Sequence, residues 1–239
     1  MENHFILSCE HGGNEVPEPY RSCFEEAQSA LESHRGYDYG ALKLFHLFEN
    51  GYTGFSHFAT VTRLLVDLNR TLEAPSLFSE FVQGLSPEQK QGILDAYYHP
   101  YRNRFINHLE PIFAKGSFVV HVSVHSFTPI LDGVERNADI GILFDPAFAP
   151  ERRLAQMWKR LIHKKLPHLK VRFNYPYLGK TDGHVVYYRR RFPKQYAGLE
   201  LELNYRCADD PKVLELLADS YRELCARWLK LTADEVVLA

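Results

Sequence analysis

Two histidines stand where a chain can present an imidazole to a ligand. His11 follows the apolar run FILSC (5–9) in the turn Glu10-His11-Gly12-Gly13-Asn14-Glu15. The glycines let the backbone bend sharply and are expected to leave the ring exposed. His125 closes SFVVHVSVH (117–125), just before Ser126-Phe127-Thr128-Pro129. An imidazole at a strand end is either a metal ligand or a loop residue with no task. Two of them at strand ends of one sheet strengthen the ligand role of each, whereas His121, on the same face, reads as a hydrogen-bonded core residue. A catalytic zinc takes three protein ligands and keeps a water position open, so a carboxylate has to join the histidines. Asp38 heads a predicted helix, where its plain role is an N-cap. Glu10, Asn14 and Glu15 lie nearer to His11 in sequence and stand as alternatives. No HExxH helix is present.

Acids and cations for the rest of a hydrolytic site recur elsewhere. In GLELELN (198–204), Glu200 and Glu202 share one strand face opposite Leu199, Leu201 and Leu203. Buried carboxylates need a cation or a hydrogen-bonded water; the plain alternative is a solvent-facing edge strand. TRLLVDLNR (62–70) groups Arg63, Asp67, Asn69 and Arg70. Its guanidinium groups suit bidentate capture of a carboxylate, or Arg63 and Asp67 simply close the strand as an ion pair. Arg136 and Asn137 make a second candidate anion clamp, while Tyr188-Arg189-Arg190-Arg191 reads as a solvated basic turn. GxSxG, Walker and Rossmann fingerprints are absent.

These residues must be carried by an α/β framework. FILSC, HFATVTRLLVDLN (57–69), SFVVHVSVH, DIGILF (139–144) and GLELELN read as strands. A helix is predicted from near Asp38, with Leu42, Phe45 and Phe48 at helical spacing. Ser86-Pro87-Glu88 starts another that runs to near Tyr98, and a further one reaches Phe113 after Pro100. Glu151 to about Lys165 and Pro211 to Leu231 complete the set. Strands separated by helices predict one α/β domain over 1–239, with a central mixed, mostly parallel sheet flanked by helices. Its chemistry is expected in loops at the carboxyl ends of strands. Loops 71–86 and 174–190 are expected to shape specificity.

Composition narrows the partners. Lys+Arg 28 against Asp+Glu 30 gives a net charge of −2, without the basic excess of a nucleic-acid binder. No apolar run approaches the roughly 20 residues of a membrane span, and MENHFILSCEHGG meets charge too early for a secretory signal. Cys9, Cys23, Cys207 and Cys225 form no CxxC pair. The expectation is a cytoplasmic, thiol-reduced protein with a small-molecule substrate; oligomeric state is not legible.

Taken in order, SCEHGGNEVP (8–17), GYDYGAL (36–42), ATVTRLLVDLNR (59–70), HVSVHSFTPILDGVERNADIGILFD (121–145), NYPY (174–177) and GLELELN resemble the N-formylglutamate amidohydrolase (deformylase) family. That family resembles, more distantly, zinc carboxypeptidases, aspartoacylases and N-acetylmuramoyl-L-alanine amidases. The resemblance implies a zinc-exopeptidase-like α/β fold, one Zn2+ per chain and hydrolysis of an N-acyl amino acid. It implies His11 and His125 as metal ligands, with Asp38 as the third. Asn14 stands where the carboxypeptidase relatives carry a glutamate ligand. Glu202 matches the late catalytic glutamate better than Glu200. Asn69 and Arg70 match the pair that grips a substrate carboxylate, and Arg63 the arginine that polarises the scissile carbonyl; beside the resemblance, Arg136 is expected to contact substrate, and Arg63 or Arg136 to stabilise the oxyanion. An amidase for a peptidoglycan stem or another acyl-amino acid, and a non-catalytic carboxylate binder, are the alternatives.

Overall fold

The computed structural model describes residues 2–50 and 54–231. β1 (Asn3–Cys9) leads through a 3-10 turn (Glu18–Phe24) and the single-turn α1 (Gln28–Leu31) to α2 (Ala41–Glu49) and β2 (Phe55–Phe58). Irregular chain, with one 3-10 turn at Glu80–Val82, precedes α3 (Pro87–Ile93). α3 starts where Ser86-Pro87 predicts, because Ser86 and Gln89 form a reciprocal capping box and Pro87 occupies the first turn. It passes through a π-helical turn (Leu94–Tyr98) into α4 (His99–Ala114). There follow β3 (Phe118–Phe127), the small hairpin β4 (Ile130–Leu131) and β5 (Val134–Glu135), β6 (Ile140–Leu143) and α5 (Ala149–Lys165). β7 (Val171–Phe173), α6 (His184–Arg191), β8 (Tyr196–Asn204), α7 (Tyr205–Ala208) and α8 (Pro211–Trp228) complete the order.

The main sheet runs β2-β1-β3-β8-β6-β7. β2, β1, β3 and β8 are parallel, β6 is antiparallel to β8, and β7 parallel to β6. This is the expected α/β domain with a mixed, mostly parallel sheet. Strand alternation divides the interior in two. Val120, Val122 and Val124 with Leu199, Leu201 and Leu203 face α2, α5 and α8 in one core. Burying each such side chain contributes roughly 1.5–3 kcal/mol. The opposite face packs Ile6, Val119 and Tyr196 against Phe105, Leu109 and Tyr188. Toward the carboxyl ends of β1, β3 and β8 that same face turns polar, with Ser8, Ser123, His125, Glu200 and Glu202 all buried.

Several elements differ from the sequence expectation. The strand expected over 57–69 is only Phe55–Phe58, with one bridge between Glu15 and Val61. Beyond it Leu64, Leu65, Val66 and Leu68 are all buried, which a half-buried strand of alternating faces does not allow. The chain instead turns, held by Thr62 Oγ1 donating to Gly36 O and Asn69 N donating to Asp67 Oδ1. Asp38 does not cap α2: Gly40, at φ 80°, holds the cap position, and the Asp38 side chain points elsewhere. α8 ends at Trp228 rather than Leu231. The basic turn expected at 188–191 is the end of α6; Tyr188 is fully buried, and Arg189 Nε donates to the buried Glu151 at 2.7 Å.

Candidate active site

Parallel strands deliver the site's residues to one sheet edge. His11 lies just past β1, His125 near the end of β3, and Glu202 beside His125 in register on β8. Asp38 comes from the turn before α2, where Asp38 N donates to His11 O at 2.9 Å. One nitrogen of each histidine and one Asp38 oxygen lie within 4.8 Å of one another, all buried. His125 Nδ1 is 2.8 Å, and His11 Nδ1 3.5 Å, from Asp38 Oδ2. The exposed His11 that the glycines predict is instead 1% exposed. Gly12 accounts for this: a side chain there would meet Ala59 O at 2.8 Å, so the turn packs tightly on the neighbouring chain and carries the ring inward.

The far ring nitrogens are held by other groups. His11 Nε2 donates to Asp67 Oδ1 at 2.7 Å, which turns Nδ1 toward Asp38 without a hydrogen-bond partner of its own. His125 Nε2 lies 3.1 Å from Glu10 Oε2, 2.8 Å from Ser123 Oγ and 3.3 Å from Asn69 Nδ2. Of the other sequence candidates for a third ligand, Glu10 faces the far side of His125. Asn14 Nδ2 donates to Leu31 O, and Glu15 accepts from Thr60 Oγ1 at the surface. Burial would raise the Asp38 carboxyl, but His11 and His125 outweigh it and hold it below the usual range. Asp67 is held low by Arg63 and His11 against the same burial.

Five buried carboxylates, Glu10, Asp38, Asp67, Glu200 and Glu202, converge here. Among them Asp38 is grouped with His11 and His125, and His11 Nδ1 has no hydrogen-bond partner, an arrangement that fits a divalent cation. A catalytic zinc prefers two imidazoles and a carboxylate with room for a water, and His11, His125 and Asp38 are such a donor set.

Glu200 and Glu202 are not on an edge: β8 is flanked by β3 and β6. Burial pushes Glu202 up to about 8, with Asp38 and Glu200 adding to the effect and His125 opposing it. Burial also raises Glu200. Glu202 Oε2 has no hydrogen-bond partner among the described residues. Arg63 Nη2 donates to Asp67 Oδ2 at 2.8 Å, while its Nη1 is 3.4 Å from Asp38 Oδ1, so the ion pair with Asp67 is present and lies within the site. Arg70 Nη1 donates to Asn69 O and Asp182 O. Asn69 Oδ1 accepts from His184 N at 2.6 Å, so half of this amide serves the protein itself. Arg136, 8% exposed, stacks between the rings of Phe127 and Tyr177.

All eight residues singled out from sequence, His11, Asp38, Arg63, Asn69, Arg70, His125, Arg136 and Glu202, line one cavity of about 400 Å³. The 174–190 loop supplies Tyr177, Leu178, Thr181 and Asp182, whereas no residue of 71–86 lines it. Sequence reasoning missed His34, Ser123 and Tyr101, and the contact of His184 with Glu10 (3.6 Å). Only Ser123 carried a signal, its place between His121 and His125 on one strand face.

The model of the N-formylglutamate amidohydrolase family matches residues 3–208. The chain belongs to this family. A gene product of Agrobacterium tumefaciens superposes with a TM-score of 0.78 at 26% identity, covering 94% of this chain and 90% of that one. The N-formylglutamate amidohydrolase of Ralstonia eutropha superposes with a TM-score of 0.65 at 18% identity, covering 95% and 92%, and so shares the fold. No curated protein matches the sequence. Membership in the N-formylglutamate amidohydrolase family supports an amidohydrolase acting on a small molecule. No helix among the described residues is long and apolar enough to cross a membrane.

Proposed function

We propose that this member of the N-formylglutamate amidohydrolase family is a metal-dependent hydrolase of N-acyl amino acids, N-formylglutamate or a close analogue. The observation that carries it is the buried His11 Nδ1, unpartnered and grouped with Asp38 and His125 while Asp67 fixes the opposite nitrogen. His11, Asp38 and His125 would hold one zinc ion, which would supply Lewis acidity to the scissile carbonyl and acidify a water.

The chain's own groups do the rest. Glu202 Oε2, buried and unpartnered, accepts the proton of the attacking water and returns it to the leaving amine. Arg63 stabilises negative charge on the carbonyl oxygen, a role typically worth about 3–4 kcal/mol. Arg70 and the Asn69 side-chain amide hold one substrate carboxylate. Arg136, which has no carboxylate partner among the described residues, meets a second anionic group.

The test is to purify the chain, measure its metal by elemental analysis, and follow release of formate from N-formyl-L-glutamate before and after chelation. About one zinc per chain, with turnover lost on chelation and restored by zinc, is expected. A folded, zinc-free protein that binds N-formyl-L-glutamate without cleaving it would instead mark a carboxylate-binding relative.

A further inference from the structure

Arg102, on α4, is a charged side chain where the fold has little use for one. It is 4% exposed, and no carboxylate pairs with it among the described residues. Isolated buried charge costs several kcal/mol unless other groups replace its hydration. Two kinds of group do so here. The rings of Tyr98 and Tyr187 sandwich the guanidinium at 5.2 and 5.0 Å. Nη2 donates to Leu68 O at 3.1 Å and Arg70 O at 2.8 Å, while Nε and Nη1 meet no acceptor.

Those two carbonyls flank Asn69. Tyr98 Oη, at the end of the π-helical turn, also donates to Arg70 O, at 2.8 Å, so Tyr98 and Arg102 together grip the 68–70 backbone. From the other side, Asp182 accepts from Thr71 N through its side chain and from Arg70 Nη1 through its backbone. Tyr188 Oη donates to Arg102 O at 3.1 Å, which ties α6 into the same assembly. Neither Arg102 nor Tyr98 lines the cavity.

We propose that Arg102, seconded by Tyr98, is a positioning residue that sets the aim of Asn69 and Arg70 and thereby the protein's affinity for a carboxylate on its substrate. This rests on the assignment of Asn69 and Arg70 as the carboxylate grip. One guanidinium nitrogen, Nη2, reaches both carbonyls, and the plane stacked between Tyr98 and Tyr187 holds it there; a lysine ammonium keeps the charge but is shorter and has no plane for the rings to hold. The grip acts on bound substrate and on the reaction's transition state alike, so its loss raises KM and leaves kcat little changed.

The experiment compares wild type with Arg102→Lys, Arg102→Met and Tyr98→Phe, all zinc-loaded. Zinc content, melting temperature, kcat and KM are measured for N-formyl-L-glutamate and for the analogue whose α-carboxylate is a carboxamide. Arg102→Lys and Arg102→Met are expected to raise KM for the acid about 10- to 100-fold, the scale on which misplaced binding groups act, with kcat within about threefold. Tyr98→Phe, which removes one hydroxyl and leaves the ring, gives a smaller rise in the same direction. KM for the carboxamide changes little in any variant, and zinc content stays near one per chain.

Unchanged KM for the acid in the Arg102 variants and in Tyr98→Phe overturns the proposal. Equal losses for acid and carboxamide also overturn it, since they mark Arg102 as a support of the fold alone. A wild type that neither binds nor cleaves either compound overturns the underlying reading of the site, a result visible before any variant is compared.

Discussion

At the scale of single residues, the site works by giving chemically identical groups different surroundings. Glu10, Asp38, Asp67, Glu200 and Glu202 are all buried carboxylates, yet Asp38 and Asp67 are held low by His11, His125 and Arg63, whereas burial raises Glu200 and Glu202. Only Glu202 joins a raised proton affinity to an unpartnered oxygen on the cavity wall. Glu202→Gln keeps the volume but cannot accept a proton, so kcat is expected to fall about 10²- to 10⁴-fold with zinc retained. Glu200→Gln should cost much less. Turnover and zinc content measured side by side decide this, and a dead Glu200→Gln with an active Glu202→Gln would transfer the role. Asp67 is the support of a ligand: it accepts from His11 Nε2 and so orients the ring with Nδ1 toward Asp38. Asp67→Asn is expected to weaken zinc binding about 10- to 100-fold, read by competition with a chromogenic chelator.

At the scale of elements, neighbouring strands and turns hold these side chains in depth. β8 sets Glu202 against His125 on one side and Gly141 of β6 on the other. Gly141 has no room for a side chain: an added Cβ would sit 2.0 Å from Tyr175 O and 3.0 Å from the Glu202 Cβ. Gly141→Ala therefore has to displace the NYPY loop or press on Glu202. Overpacking of this kind costs about 1–3 kcal/mol, so urea denaturation should show that loss together with reduced turnover; a variant with unchanged stability and kcat would show that the loop yields freely. The helices at this scale were the more legible elements. Ser86-Pro87 and its capping partner Gln89 are local signals, and α3 begins there. TRLLVDLNR has the composition of a strand, yet Leu64, Leu65, Val66 and Leu68 all find apolar partners in the second core, and burial on every side outweighs β propensity.

At the scale of the whole molecule, one face of the sheet is apolar along its length and the other gives way to charge at its carboxyl edge. The apolar cores hold the sheet rigid and group His11, Asp38 and His125 at its carboxyl end. A dication that binds this grouping binds only the folded state, so it should stabilise the fold. At free zinc 100-fold above its Kd the gain is about 2.7 kcal/mol, which for a chain of this size raises the melting temperature by about 5–10 °C. Thermal melts with zinc and with chelator test this, and coincident curves would argue against a resident metal in the buried cluster.

The sequence by itself determined the fold class and which residues meet. Alternation in FVVHVSVH and GLELELN places imidazoles and carboxylates on one face, and the order of strands and helices brings strand ends together at one edge. His125, Glu200 and Glu202 accordingly line one cavity, and His11, Asp38, Arg63, Asn69 and Arg70, which the family resemblance assigns to the site, line it with them. What the tertiary structure decided is which atoms face which. Asp38 looks like a helix cap in sequence, because a cap needs only neighbours within one turn; Gly40 takes that place and Asp38 turns to two histidines, one of them on a distant strand. Glu10 stands beside His11 in sequence but faces the far nitrogen of His125, because β1 ends at Cys9 and the turn that follows sends the two side chains to opposite sides of that ring. Arg102 carries no signal in its own segment. Its partners, the carbonyls of Leu68 and Arg70, are backbone atoms more than thirty residues away, and only the packing of α4 brings them within reach.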